Sequence, residues 1–221
     1  MAQKVVLLDL MASPFGAKVR IGLAEKCVEY DRLEQDLSNK SPLLLEMNPI
    51  NQKIPVLIHN GRPICESSII LEYIDEVWTE NSQFFPSDPY ERAHVRFWID
   101  YIGQNIYDKA SAFAFKTTSG EMQEAAKKEL VKCYKVLEEE LGDKAYFGGE
   151  SFDAIDITLI PFYAWFYSLE KMGLKMREEC PKIVEWAERC MKRETVSMSL
   201  LSPERTYEVV LYLRNKLLSG N

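Results

Sequence analysis

Histidine is scarce in this chain: His59 and His94 are the only two in 221 residues. Metal centres and acid–base catalysts draw heavily on that side chain. The five cysteines, at 27, 65, 133, 180 and 190, form no C-x-x-C pair and no ligand spacing with those histidines, so no metal is expected. An odd, unpatterned set of thiols suits a reducing compartment. No G-x-S-x-G occurs either. His59 falls at a hairpin tip and His94 early in a helix, where both are expected to be exposed and neither to serve as base to a serine. A hydrolase is excluded. Long apolar runs are missing too. The longest, Ile157 to Phe166, carries Thr158 and is far too short to cross a bilayer, and the N-terminal run is too short for a signal peptide. No Lys/Arg cluster offsets a net charge of −7, so neither nucleic acid nor an anionic membrane is expected as a partner. The default is a soluble cytosolic protein.

Hydrophobic residues make up 47% of the chain and charged ones 28%, enough for a real core in one large or two modest domains. The rest of the sequence is organised around Lys53 to Ser68. Two apolar runs, Val56 to His59 and Pro63 to Cys65, flank Asn60-Gly61, the strongest short signal for a two-residue hairpin. Pro55 suits a strand's first position, and Ile54-Pro55 is a candidate cis bond. Glu66-Ser67-Ser68 then opens an amphipathic helix carrying Ile69, Ile70, Tyr73, Ile74 and Trp78, with serine at its N-cap. The free N–H groups at that helix mouth favour a carboxylate, and Glu66 beside them suits an ammonium. The pair fits the amino-acid end of a small ligand; an ordinary hairpin with an ordinary cap fits the same residues.

Upstream, Lys4 to Leu10 reads as a buried strand. Ser13 is a good N-cap and Pro14 a good first helical residue, with Val19, Leu23 and Ala24 carrying helical spacing to about Lys26 and Ile21 widening the face. Val28 to Leu33 is a weaker strand, and Asp36 to Met47 a polar loop with a short helical piece. The order β-α-β-α-β-β-α fits a small α/β domain over residues 1–78. Residues 79–89, with two prolines, form the linker. Residues 90–221 show only helices. The first runs from Tyr90 to about Ser119 with Phe97, Trp98, Tyr101, Ile102 and Ile106 on one side, and Thr117 to Gly120 breaks it. Met122 to Leu141 follows, closed by Gly142. Asp153 and Asp156 resemble a capping box on a nearly all-apolar helix to Leu169, with Pro161 placed to kink it. Helices from Pro181 to about Lys192 and from Ser202-Pro203 close the chain.

Ser13 ends the loop after the first strand and opens a helix. In α/β sheets ligands bind beyond the carboxyl ends of strands, so this helix mouth and the one at Ser67 are expected to face one cleft. A hydroxyl and a helix end together suit a bound anion such as a thiolate. Lowering a thiol pKa by two units is worth about 2.7 kcal/mol, and one hydrogen bond to a charged group supplies about 1.5–3 kcal/mol. A plain helix cap remains an equal reading of Ser13 from spacing alone.

The residues then reach a family. Ser13-Pro14-Phe15, Asp36-Leu37 with Asn39 to Leu44, Asn48-Pro49, Lys53 to Asn60, Pro63 to Ser67, Tyr73 to Glu76, Tyr146 to Gly149 and Pro161-Phe162 together resemble glutathione transferases, most closely the plant tau class. The resemblance spans nearly the whole chain. It implies a thioredoxin-like α/β first domain and an all-α second domain, with glutathione as co-substrate and no cofactor. It implies that Ser13 holds the glutathione sulfur as the catalytic residue, that Lys40 and Lys53 bind the glycyl carboxylate, that the backbone of Ile54 pairs with the cysteinyl unit, and that Glu66 and Ser67 grip the γ-glutamyl end. The hydrophobic acceptor is expected between the domains, near Met11, Phe15, Tyr107, Ser111, Trp165 and Tyr207. A homodimer is implied as well.

Four departures from the tau pattern stand out. Met11 replaces a usual tryptophan, and Ser111 and Ala114 stand where basic or aromatic residues are common, which predicts a wider, more adaptable acceptor site because Met re-packs easily. Asn51-Gln52 replaces a usual basic pair, which is expected to weaken glutathione binding. Cys27 stands where glycine is common and is expected to be a surface or packing residue. The leading expectation is conjugation of glutathione to apolar electrophiles in detoxification, with peroxidase activity on organic hydroperoxides as an addition. The alternative is a non-catalytic carrier of apolar ligands. A thiol–disulfide oxidoreductase would want cysteine at position 13.

Overall fold

A computed structural model describes residues 4–116 and 120–219 of the chain. The first unit runs β1 (Val5–Asp9), α1 (Pro14–Glu25), β2 (Asp31–Glu34), α2 (Pro42–Met47), β3 (Val56–His59), β4 (Arg62–Cys65) and α3 (Ser67–Val77). The order of elements matches the reading from sequence. The sheet order is β2-β1-β3-β4, with β2 parallel to β1, and β3 antiparallel to both β1 and β4. Alternation along β1 explains its unbroken apolar run. Val5 and Leu7 join the large core with α1 and α3, while Val6 and Leu8 pack with Leu44, Val56 and Ile58 on the face that α2 covers. Both faces of the strand are therefore buried.

Local differences from the sequence reading have physical causes. The second strand starts at Asp31, not Val28, because Val28 and Tyr30 pack against the core ahead of the pairing. Ser67 is the first residue of α3, and Glu66 is the N-cap, with φ +70° and no side-chain cap bond. The turn is of the expected kind, with Asn60 at φ +51° and Gly61 at φ +78°. His59 is buried rather than exposed. It lies on an interior strand under the end of α3, its Nδ1 sits 2.8 Å from the Tyr73 hydroxyl, and its ring packs on Trp78 at 5.1 Å. The Ile54-Pro55 bond is cis.

The second unit is helical: α4 (Pro89–Ser111), a π turn (Ala112–Lys116), α5 (Gly120–Leu141), α6 (Ala154–Leu159), a 3₁₀ stretch (Ile160–Trp165), α7 (Phe166–Lys171), α8 (Met176–Glu179), α9 (Pro181–Cys190), α10 (Glu194–Ser197) and α11 (Pro203–Leu218). Most of the expected break at Thr117 to Gly120 lies outside the described residues. Phe97, expected on the face of Trp98, points outward and is 60% exposed. The long apolar helix after Asp153 is split, with Pro161 in the 3₁₀ stretch. Its entry is a true capping box: Asp153 accepts from the backbone of Ile155 and Asp156, and Asp156 accepts from the Asp153 N–H.

The linker is pinned rather than loose. Asp75 accepts from the N–H groups of Phe84 and Phe85 at 2.9 and 3.1 Å and pairs with Lys26 at 2.7 Å. Both phenylalanines are buried, and Phe84 O receives the N–H of Ala154. The core then runs on from β1, α1 and α3 into α4, α5, α6 and α9 without a break. No described helix is long and apolar enough to cross a membrane.

Candidate active site

Strand register brings the site together. Leu8 lies opposite Val56, and Val56 opposite Cys65. The residues just beyond β1, just before β3 and just beyond β4 therefore share one edge of the sheet. Asp9 pairs with Glu34, so the loop after β2 leaves from that edge as well. Ser13, Lys40, Lys53-Ile54 and Glu66-Ser67 hang on these four exits. The sequence-level cleft is the consequence of this topology, because β1 and β4 run the same way and release their chains on one side.

Ser13 caps α1. Its Oγ accepts the Gly16 N–H at 3.2 Å, which leaves the hydroxyl hydrogen free to donate outward. Gly16 is close to indispensable here. A Cβ at that position would sit 1.8 Å from Asp9 Oδ1, so the absent side chain is what lets the helix mouth approach the end of β1. Asp9 is fully buried and paired with Arg20, which also donates to Met11 O at 2.9 Å and to Ser199 O from the second unit. Burial pushes the Asp9 carboxyl up, and the Arg20 guanidinium pulls against it. This pair braces the loop that carries Ser13.

Across the edge, Glu66 is exposed, and Asn51 Nδ2 donates to its Oε1 at 2.7 Å. Asn51 is itself held through Asn48, whose Nδ2 donates to Lys53 O at 2.9 Å and whose Oδ1 accepts the Asn51 N–H. Asn51 thus orients an acid of the site, a role that the comparison of positions had reduced to a missing charge. Ser67 is buried at the first turn of α3, Ile54 is half-buried, and Lys40 and Lys53 are exposed.

Lys18 was not foreseen. It is 3% exposed, and its Nζ donates to Ser68 Oγ at 3.1 Å, joining α1 to the mouth of α3. Burial lowers its pKa to about 7, with Glu66 opposing. Nothing in the local sequence marks a lysine between Ala17 and Val19 as buried; the packing of α1 on two sides puts it inside.

Both halves of this arrangement match known protein families. Residues 3–76 match the model for the glutathione S-transferase N-terminal domain, and residues 120–189 the model for the C-terminal domain. The chain belongs to the glutathione transferase family. A probable glutathione S-transferase, parC, of Nicotiana tabacum is 55% identical over 97% of both chains. Two solved structures superpose closely. The rice transferase GST1 in complex with glutathione has a TM-score of 0.93 and 41% identity over 98% of both chains. The tau-class transferase of mango has a TM-score of 0.89 and 35% identity, over 95% of this chain and 98% of that one. The class is tau, and the activity is glutathione transfer.

The residues expected to form the acceptor site are largely aromatic. Phe15, two residues past the cap of α1, packs on Tyr107 at 4.9 Å and on Phe162 at 6.4 Å; Tyr107 lies 6.1 Å from Trp165. A narrow crevice joins Met11 and Ser13 to Trp165, Leu200 and Thr206. Tyr207 packs instead edge-on against Tyr167 at 5.8 Å, and its neighbour Thr206 is what reaches the crevice. Ser111 and Ala114 are buried on the stretch facing Trp165, where Phe115 packs at 5.5 Å. Cys27 is exposed at φ +54°, the left-handed region that explains glycine's frequency there.

Proposed function

We propose that the transferase binds glutathione along the shared sheet edge and adds its sulfur to hydrophobic electrophiles held against Phe15, Tyr107, Trp165 and Met11. The observation that carries this reading is the register Leu8–Val56–Cys65, which gathers Ser13, Lys53-Ile54 and Glu66-Ser67 on one side. Glu66, steadied by Asn51, takes the ammonium of the γ-glutamyl unit, and Ser67 and the mouth of α3 take its carboxylate. The backbone of Ile54 pairs with the cysteinyl unit, and Lys40 and Lys53 meet the glycyl carboxylate. Ser13 donates its free hydrogen to the sulfur, which keeps it ionised. The thiolate attacks an electrophilic carbon; a C–S bond forms, and either a leaving group departs with its electron pair or a proton reaches the resulting carbanion. Side-by-side binding supplies much of the acceleration. The proposed peroxidase activity follows from the same thiolate: it attacks an oxygen of an organic hydroperoxide, the O–O bond breaks with the alcohol leaving, and a second glutathione reduces the resulting sulfenic acid to disulfide and water.

The test is Ser13→Ala. Loss of a hydrogen bond to a charged acceptor, about 1.5–3 kcal/mol, should lower kcat/KM roughly 10- to 150-fold and raise the thiol pKa in the complex by about one to two units. Unchanged turnover with an unshifted thiol titration would overturn the role of Ser13. Retained binding of apolar ligands with no turnover in the native protein would favour the carrier.

A second copy of the chain is proposed to cover the outer face of α3 and α4. There Ile69 of α3 and Phe97 of α4 are 58% and 60% exposed, and the Glu72–Arg96 ion pair joins the two helices at 2.6 Å. Light scattering should give twice the chain mass, and Phe97→Asp should halve it. The compartment proposed is the cytosol, where five free thiols stay reduced.

A further inference from the structure

A lysine inside a protein needs a reason. Lys18 sits on α1 with its stem between helices and its ammonium behind Ser68, two residues from Glu66. The mouth of α3 is already the positive end of a dipole, so a further buried cation there is unfavourable until an anion arrives. One of the three N–H donors of Nζ is used, on Ser68. Glu66 is the charged group whose field reaches it. The other charges on the elements packed against α1 are engaged elsewhere or exposed: Glu72 meets Arg96, whose charge Glu76 also feels, Asp75 meets Lys26, Arg193 meets Glu25, Asp156 accepts from Phe147 N and Trp186 Nε1, and Glu194 is exposed. The 3₁₀ stretch Ile160–Trp165 carries none.

We propose that Lys18 is an additional member of the glutathione site, a counter-charge that draws the γ-glutamyl carboxylate onto the mouth of α3 from behind Ser68. This inference rests on the glutathione reading above and extends it. Lys18 does not touch the reacting atoms, so it is a positioning residue for the peptide, not a catalytic one. The consequence is proton-linked binding. In the free protein the ammonium is poised near neutrality, its pKa lowered to about 7 by burial. A carboxylate in place raises that value again, so binding takes up a proton above pH 7. Affinity is then highest below pH 7 and falls as pH rises, by at most tenfold per unit, until the bound form also loses its proton.

The ionising thiol of glutathione would mask this, so the probe is S-methylglutathione, titrated calorimetrically on the full chain from pH 6 to 8.5 in two buffers of different ionisation enthalpy. The wild type should weaken several-fold across the range, with up to one proton taken up at pH 8. Lys18→Met, at the weak level, and Lys18→Arg, which keeps its charge, at the tight level, should show only the fall near pH 8 and above that the probe's own α-amino group imposes, and correspondingly less proton uptake than the wild type. Circular dichroism checks that both variants fold. If Arg does not fit the slot, the Met profile and the wild-type proton count still decide. A flat wild-type profile, or a Met variant that keeps the wild-type fall, overturns the role of Lys18 and leaves the function standing. No binding of S-methylglutathione at any pH overturns the function as well.

Discussion

Ser13 and Gly16 constrain one another. The serine needs an N–H three residues on to fix its rotamer, and the glycine can supply it only because nothing grows from its Cα toward Asp9. Gly16→Ala should therefore push either the buried carboxylate or the start of α1. Overpacking of this kind costs about 1–3 kcal/mol, and the shift of Ser13 should lower kcat/KM beyond what stability explains. Urea denaturation and steady-state kinetics on the same sample check it; an alanine variant with native stability would mean that Asp9 moves freely. At Lys18 the sign runs the other way. A base whose pKa is depressed on folding binds its proton more readily in the unfolded chain, so folding gains with rising pH between about 7 and the unfolded value. Lys18→Met should thus stabilise the fold more at pH 7 than at pH 9.5, as read from denaturant midpoints. An equal gain at both would place the lysine in water.

Elements here are fixed by their ends. α6 has only six residues, too short to hold itself by propensity, and its entry carries the load. Asp156 lies under Phe147 N at 3.0 Å, Asp153 N at 2.9 Å and Trp186 Nε1 at 2.7 Å. Burial pushes its carboxyl well up, and these three donors pull it down. Asp153→Ala removes a cap, about 1 kcal/mol. Asp156→Ala leaves three buried donors without a partner, each worth about 1–3 kcal/mol before relaxation, so it should destabilise several times more. Thermal melts of the two variants rank them. Equal losses would mean that water replaces the carboxylate. The π turn after α4 is another element set from outside. The carbonyl of Ala114 in this turn accepts from Arg214 of α11 at 2.6 Å, which ties the last helix to the stretch that faces Trp165.

At the scale of the molecule, α1 is shared property. One side packs on α3 and shares a core with β1 and β3, the other packs on α6, the 3₁₀ stretch and α10, and Arg20 bonds β1, the Ser13 loop and Ser199 together. With one continuous core, far-UV circular dichroism and tryptophan fluorescence should unfold in a single coincident transition. Three of the four tryptophans, Trp98, Trp165 and Trp186, report the helical unit. Arg20→Met should lower the stability read by both probes together, by up to about 3–5 kcal/mol, since it takes the nearest cation from the buried Asp9 carboxylate and leaves it with Arg32 at 3.8 Å. Two separated transitions in the wild type would show the units to be independent.

The sequence by itself determined whatever is written in neighbouring residues. The Asn60-Gly61 turn, the Ser13-Pro14 helix start, the Asp153–Asp156 box and the order of strands and helices all follow from local backbone rules. So does the setting of an acid beside a helix mouth at Glu66-Ser67. Only tertiary structure decided what depends on being covered twice. His59 reads as a hairpin tip yet lies under Tyr73 and Trp78, and Phe97 reads as core yet faces outward. Lys18 and Arg20 carry no local signal of burial yet are enclosed, because α1 is packed on both sides. Amphipathic spacing records one buried face per helix. It is silent about a second, and the charges trapped on that second face are the ones that brace Ser13 and set the field at the mouth of α3.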